Sequence, residues 1–137
     1  MGTNIRPEIS KKKKYWISKH RYYELKHFCL QYKEWIDIVR AYDGYPSRTG
    51  IAVTGSSEWG DPTYICAKER ESCLRKIDMV RKAAKEASDE IGDYIFKAVT
   101  EDLSFTCLKM MHDLPCGKDM FYDRYRKFWY ILSRLNH

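Results

Sequence analysis

Residues 103–135, LSFTCLKMMHDLPCGKDMFYDRYRKFWYILSRL, decide the fold. The stretch opens near Ser104, whose hydroxyl suits a helix N-cap, and runs on as the short helical segment SFTCLKMMH. Asp113-Leu114-Pro115 interrupts it, because proline has no amide hydrogen and disfavours helix at the residue before it. Beyond the break, Phe121, Tyr125, Phe128, Leu132 and Leu135 recur at steps of four, three, four and three. That period marks one buried stripe on an amphipathic helix. Lys118, Tyr122 and Arg126 stand one turn apart on another face, with Asp119 and Asp123 between them.

A short helix, a proline-marked turn and a long helix with a packed back and a partly cationic front is the order of a helix-turn-helix DNA reader. The same outline belongs to ordinary corners between helices that bind nothing. The remainder of the chain bears on the choice.

With 137 residues the sequence suits one domain with a sizeable core. Hydrophobic residues make up 44%, which excludes a disordered chain, and the 15% aromatic share supplies both core and contact surface. The net charge of +6 favours an anionic partner without requiring one. Its location is sharper. Lys11, Lys12, Lys13 and Lys14 form a basic arm, and the last helix adds Lys118, Arg124, Arg126, Lys127 and Arg134. The five cysteines contain no CxxC pair, and an odd count argues against a complete disulfide framework. No apolar run reaches a membrane-spanning length, and no signal-peptide core is present, so a cytoplasmic location, in a bacterial host, is the expectation.

The expected organisation is all-α: a helical bundle with a flexible basic arm over 1–17 and a single domain over 18–137. Ser18 caps a helix over 18–42, in which Tyr22, Leu25, Phe28 or Cys29, Tyr32, Trp35 or Ile36, Val39 and Tyr42 face inward, with one break near Lys33. A glycine- and serine-rich loop occupies 43–60. Asp61-Pro62 pairs a capping residue with proline at the first helical position and opens a helix over 61–87, with Cys66, Cys73, Ile77, Val80 and Ala84 inward. A further helix over 89–99, capped by Ser88, presents Ile91, Ile95 or Phe96, and Val99. The helix-turn-helix over 103–135 follows.

From Asp61 to Leu135 this order resembles the phage late-gene transcription activators of the RinA/ArpU type. The matching phrases are Asp61-Pro62-Thr63 at the head of a charged helix, IFKAVTEDLSF, LKMMHDLPCGKDMFYDRYRKF and the tail FWYILSRL. YIFKAVTEDLSFTCL is similar to the family's approach to its reader, which is sigma-factor-like, and YWISKHRYYELKHFCLQYKEW resembles uncharacterised phage proteins of Gram-positive bacteria. The resemblance covers about half the chain and implies a DNA-binding regulator of phage transcription. Three features depart from the pattern. The turn is longer by one or two residues, Lys109 stands where a small residue is usual, and Gly117 replaces the expected serine cap.

Residue patterns for catalysis are weak. His20 and His27 lie seven apart without the carboxylate of an HExxH site, and Cys107 with His112 reads as structural. No glycine-rich phosphate loop is present, and Glu86, Asp89, Glu90 and Asp93 read as a solvated helix face. The expectation is therefore a non-enzymatic protein with no cofactor and no metal. In the leading reading it binds double-stranded DNA in a sequence-specific way. Lys118, Tyr122 and Arg126 approach bases, while Lys127 and Lys11 to Lys14 contact phosphates. One alternative is a phage interaction module acting on RNA polymerase, a defence nuclease or another host protein. Another is a terminase small subunit, which would assemble as a homo-oligomer.

Overall fold

The computed structural model describes residues 14–42 and 62–136. Lys11, Lys12, Lys13, the loop expected over 43–60 and the capping Asp61 lie outside the described residues. All regular structure among the described residues is α-helical: α1 (Lys19–Leu30), α2 (Tyr32–Ala41), α3 (Pro62–Ala87), α4 (Gly92–Glu101), α5 (Phe105–Met111) and α6 (Lys118–Leu135). The all-α class expected from the periodicity is the class observed. The residues group into two compact units, Met1–Gln31 with Met79–His137, and Tyr32–Asp78.

In the first unit, α1 packs on α4 and α6, and α4 packs on α5 and α6. Ser18 caps α1 as its sequence position predicts, accepting the Arg21 amide at 3.2 Å. The inward face of α1 is Tyr22, Leu25 and Cys29, so Cys29 rather than Phe28 is the fully buried member of that pair. Where one helix with a break near Lys33 is expected, the break falls at Gln31. There the amide reaches back three residues to Phe28 O at 3.2 Å, a tightened last turn.

The core of this unit is aromatic. Phe121, Phe128 and Trp129 of α6 are completely buried, as are Ile95 of α4 and Leu108 of α5. The Trp129 ring stands edge-on to Tyr22 of α1 at 5.4 Å and to Tyr125 at 5.7 Å, and Phe121 stacks on Tyr125 at 5.5 Å. Edge-to-face and offset contacts of this kind add specificity to the area they remove from water. The basic arm does not extend to residue 17 as a free segment. Ile17 is buried, and the Tyr15 ring lies 5.7 Å from Tyr130 of α6.

Arg21 ties α1 to the end of α6. Its guanidinium donates to Ser133 Oγ and Ser133 O, each at 3.1 Å, to Asn136 O, and to Glu24 Oε1 at 2.8 Å. The last carbonyls of a helix have no partner within it, and a cation there also meets the negative end of the helix dipole. One side chain supplies both effects.

The turn between α3 and α4 is closed by Ser88, whose buried hydroxyl accepts the Ile91 amide at 3.1 Å. Residues 89–91 form a turn, so α4 begins at Gly92 rather than at residue 89, and it continues to Glu101. It ends in a left-handed residue, Asp102 (φ 57°), with the Leu103 amide returning to Ala98 O at 3.0 Å. That bond is the long closure of a Schellman motif.

In the second unit, Trp35 of α2 is buried, with Lys76 Nζ 6.0 Å from its ring centre. Cys73 and Ile77 of α3 are buried as the expected stripe has them, whereas Cys66 is only half-buried. Tyr42 donates from its hydroxyl to Glu69 Oε1 at 3.3 Å, and the Glu69 carboxylate raises the phenol above its ordinary range, with Cys66 adding to the rise.

Gly92 decides how closely α3 and α4 approach. A Cβ at this position would lie 2.9 Å from Ala84 O and 3.3 Å from Lys85 Cα, both backbone atoms that cannot swing aside. Glycine to alanine inside an exposed helix ordinarily stabilises by about 0.5–1 kcal/mol. Here overpacking reverses the sign. Gly92→Ala is expected to lower unfolding stability by about 1–3 kcal/mol, read as a lower urea midpoint at unchanged slope.

Candidate nucleic-acid interface

Of the residues proposed from sequence to meet DNA, the described ones are Lys118, Tyr122, Arg126 and Lys127 on α6 and Lys14 on the approach to α1, within one compact unit. Their placement rests on how α5, the turn and α6 are built. Ser104 caps α5, accepting the Cys107 amide at 3.1 Å. α5 ends at Met111, and the chain reverses through Asp113 in the left-handed region (φ 56°). The Leu114 amide returns to Leu108 O at 3.2 Å, which carries the Leu114 side chain into the core.

Lys109 closes this turn. Its ammonium donates to Leu114 O and to Cys116 O, each at 3.0 Å. A small side chain at this position would leave both carbonyls without that donor, so the lysine and the long turn explain each other. Gly117 is the N-cap of α6 in an extended conformation with no side-chain cap, and a Cβ there would meet nothing within 4 Å. Phe105 of α5 rests on Phe121 at 5.6 Å and on Tyr122 at 6.1 Å, fixing the two helices through their rings.

On α6 the buried face is Phe121, Tyr125, Phe128, Trp129 and Leu132. Trp129 is absent from the stripe read in the sequence, and Leu135 is only half-buried. The step from Tyr125 to Trp129 is itself four residues, so the stripe is wider than a single row. Burial pushes the Tyr125 phenol well above its ordinary value; Tyr22 adds to that rise and Trp129 opposes it.

Of the other residues, Lys118 at the start of α6 is exposed, and Tyr122, Arg126 and Lys127 are half-buried. Lys118, Arg126 and Lys127 form no ion pair or hydrogen bond with any described residue. Tyr122 leans on Phe105 and Phe121, so its ring is part of the α5–α6 contact. Of the two aspartates, Asp123 pairs with Arg124, and Asp119 lies in the first turn of α6. A carboxylate in a first turn is stabilised by the helix dipole. Lys14, the described member of the lysine run, is exposed, with its ammonium 5.3 Å from the Tyr15 ring centre.

The four-residue step through Lys118, Tyr122 and Arg126 continues for two more turns, to Tyr130 and Arg134. Arg134 donates to Tyr130 Oη at 3.1 Å and lies 5.6 Å from that ring. The sequence carried the signal for this extension; the read face simply stopped short of it.

Among the described residues no group of three or more His, Cys, Asp or Glu could hold a metal ion, and no helix is long and apolar enough to cross a membrane. Burial pushes the Cys29 and Cys73 thiols up. It also raises Cys116, against the lowering effect of Lys109 and Arg124. A thiol shifted upward is a poor nucleophile at neutral pH.

The lysine tie should be measurable. Lys109→Met keeps the stem and removes the ammonium; a loss of about 1 kcal/mol is expected for exposed charge-assisted bonds. The amide of Leu114 should then exchange faster with solvent than in the parent protein.

Compared with known protein families, curated proteins and solved structures, the chain matches none.

Proposed function

We propose that this protein is a sequence-specific duplex-DNA-binding regulator of phage transcription, with α5, the turn and α6 as a helix-turn-helix. The observation that carries the reading is the set of cations on α6 (Lys118, Arg126 and Lys127) that have no partner among the described residues, on a helix whose orientation is fixed by one packed face. In a fold that pairs Arg124 with Asp123 on the same helix, cations left without carboxylates are available to an anion. The first half of α6 is then the part that enters the major groove, where Lys118 and Arg126 can reach guanine acceptors or phosphates. The phage setting rests on the resemblance of residues 61–135 to late-gene activators.

Selection of the full chain against a randomised duplex pool tests this reading. Enrichment of one motif is expected, with an affinity for it that falls as salt rises. Lys118→Gln with Arg126→Gln should erase the preference for that motif over mixed sequence. Absence of any salt-sensitive duplex binding would overturn the proposal.

A protein partner is the second reading, favoured by Met110 and Met111. They are 77% and 73% exposed and adjacent at the end of α5. Exposed methionines are adaptable contact residues. If a host protein is the main partner, Met110→Ser with Met111→Ser should abolish capture of RNA polymerase from nuclease-treated extract, and the α6 glutamine variants should leave it intact.

A further inference from the structure

We propose that Lys14, Tyr15, Tyr130 and Arg134 form a second phosphate contact, separate from the reading face of α6 and placed on the backbone strand that walls the groove. This inference rests on the duplex-DNA reading above and adds a site to it.

The cluster is a chain of contacts from one cation to another. Lys14 Nζ lies 5.3 Å from the Tyr15 ring, Tyr15 lies 5.7 Å from Tyr130 at a tilt of 54°, and Arg134 lies 5.6 Å from Tyr130. Arg134 also donates to Tyr130 Oη at 3.1 Å. Two cations are thus held in place by tyrosines rather than by carboxylates. Neither Lys14 nor Arg134 forms an ion pair with any described residue, and both are exposed. A cation oriented by a ring and a hydroxyl keeps its full charge for an incoming anion, and it has already lost much of its rotamer freedom. Arg21 of α1, which also meets this end of α6, is different. It is taken up by Ser133, Asn136 and Glu24, so it belongs to the scaffold.

Helix geometry separates this cluster from the reading face. At about 100° per residue, Lys118 to Arg126 spans about 80° of the α6 circumference, and Arg134 lies about 160° from Lys118. The far end of the ridge therefore looks in another direction, and one groove floor cannot meet both ends. Arg126 to Arg134 covers a rise of about 12 Å, which is the width of a B-form major groove. A helix that meets bases through its first turns brings its last turns to the groove wall, where the ligand is phosphate.

The salt dependence of binding tests this directly. Affinity of the full chain for a labelled mixed-sequence duplex is measured across a salt series, for the parent, for Lys14→Gln with Arg134→Gln, and for Lys118→Gln with Arg126→Gln. Each phosphate contact contributes about 0.9 to the slope of log affinity against log salt. The Lys14–Arg134 pair is therefore expected to reduce the slope by about 2, while preference for the selected motif survives. Arg134→Lys, which keeps the charge, should restore about half of that change. Tyr130→Phe should weaken binding with the slope unchanged, because it releases Arg134 without removing a charge. Circular dichroism and melting temperature identify any variant that fails to fold, and the exposed glutamine changes are chosen to avoid that. If the parent binds duplex and the Lys14–Arg134 pair leaves the slope unchanged, this second contact is wrong and the reading face stands. A slope change confined to a single-stranded oligonucleotide also overturns it. If the parent binds no duplex at all, both proposals fall.

Discussion

Phe121, Tyr125, Phe128, Trp129 and Leu132 remove one side of α6 from water, and α1, α4 and α5 of the larger unit are positioned against that side. Each such side chain contributes about 1.5–3 kcal/mol when fully buried. Most of a helix's stability in a protein comes from packing of its apolar face, which for α6 is covered by α1 and α4. Tyr22 meets Trp129 edge-on from α1, and Phe105 meets Phe121 from α5. With the back of α6 fixed in this way, its remaining faces have a defined direction. A charged side chain on them is then presented at a fixed place, which a recognition surface requires.

Backbone polar groups impose the second constraint. The chain leaves α4, α5 and α6 by different devices, each of which finds partners for carbonyls or amides that the helix cannot use. Asp102 takes a left-handed conformation so that Leu103 can return to Ala98 O. Lys109 reaches across the turn to two carbonyls, and Arg21 reaches from another helix to the carbonyls at the end of α6. Two cations that would count toward a basic surface in a composition argument are therefore part of the framework. The +6 net charge overstates what is available to a partner.

Periodicity made most of the fold legible, because burial follows the helical repeat. Tyr22, Leu25, Ile91, Phe121 and Phe128 all lie where the three-and-four spacing puts them. Spacing could not choose between neighbours such as Phe28 and Cys29, or Trp35 and Ile36, since adjacent positions differ by only about 100° and the tertiary neighbours decide. The smaller Cys29 is the residue buried completely. The same ambiguity hid Trp129 beside Phe128. Long-range polar ties were not legible. Nothing local in KHRYYELK marks Arg21 as the partner of Ser133, more than a hundred residues away. Lys109 read as a departure from a pattern because its bonds run to backbone atoms of the turn, whose path a sequence does not specify. For the candidate site, the cations of α6 were visible and their pairing was not. Asp123 turns toward Arg124, and Tyr122 turns toward Phe105.

The distribution of charge within the larger unit constrains how an anionic partner could approach. Between residues 86 and 102, Glu86, Asp89, Glu90, Asp93, Glu101 and Asp102 are all exposed, and Lys97 in the same stretch is paired with Glu101 at 3.2 Å. α4 packs on α6 through its other side, where Ile95 and Val99 are buried. The unit thus carries carboxylates along the end of α3, the turn after it and α4, and unpaired cations on α6 itself. The two are not fully apart. The Glu90 carboxylate is close enough to help raise the Cys116 thiol, one residue before the N-cap of α6. At physiological salt such fields are felt over about 8 Å, so the first turn of α6 meets the acidic stretch more strongly than the later turns do. An approaching anion is then drawn to the later cations of α6 more than to its head. Such an imbalance acts on the rate of productive encounters more than on the final affinity.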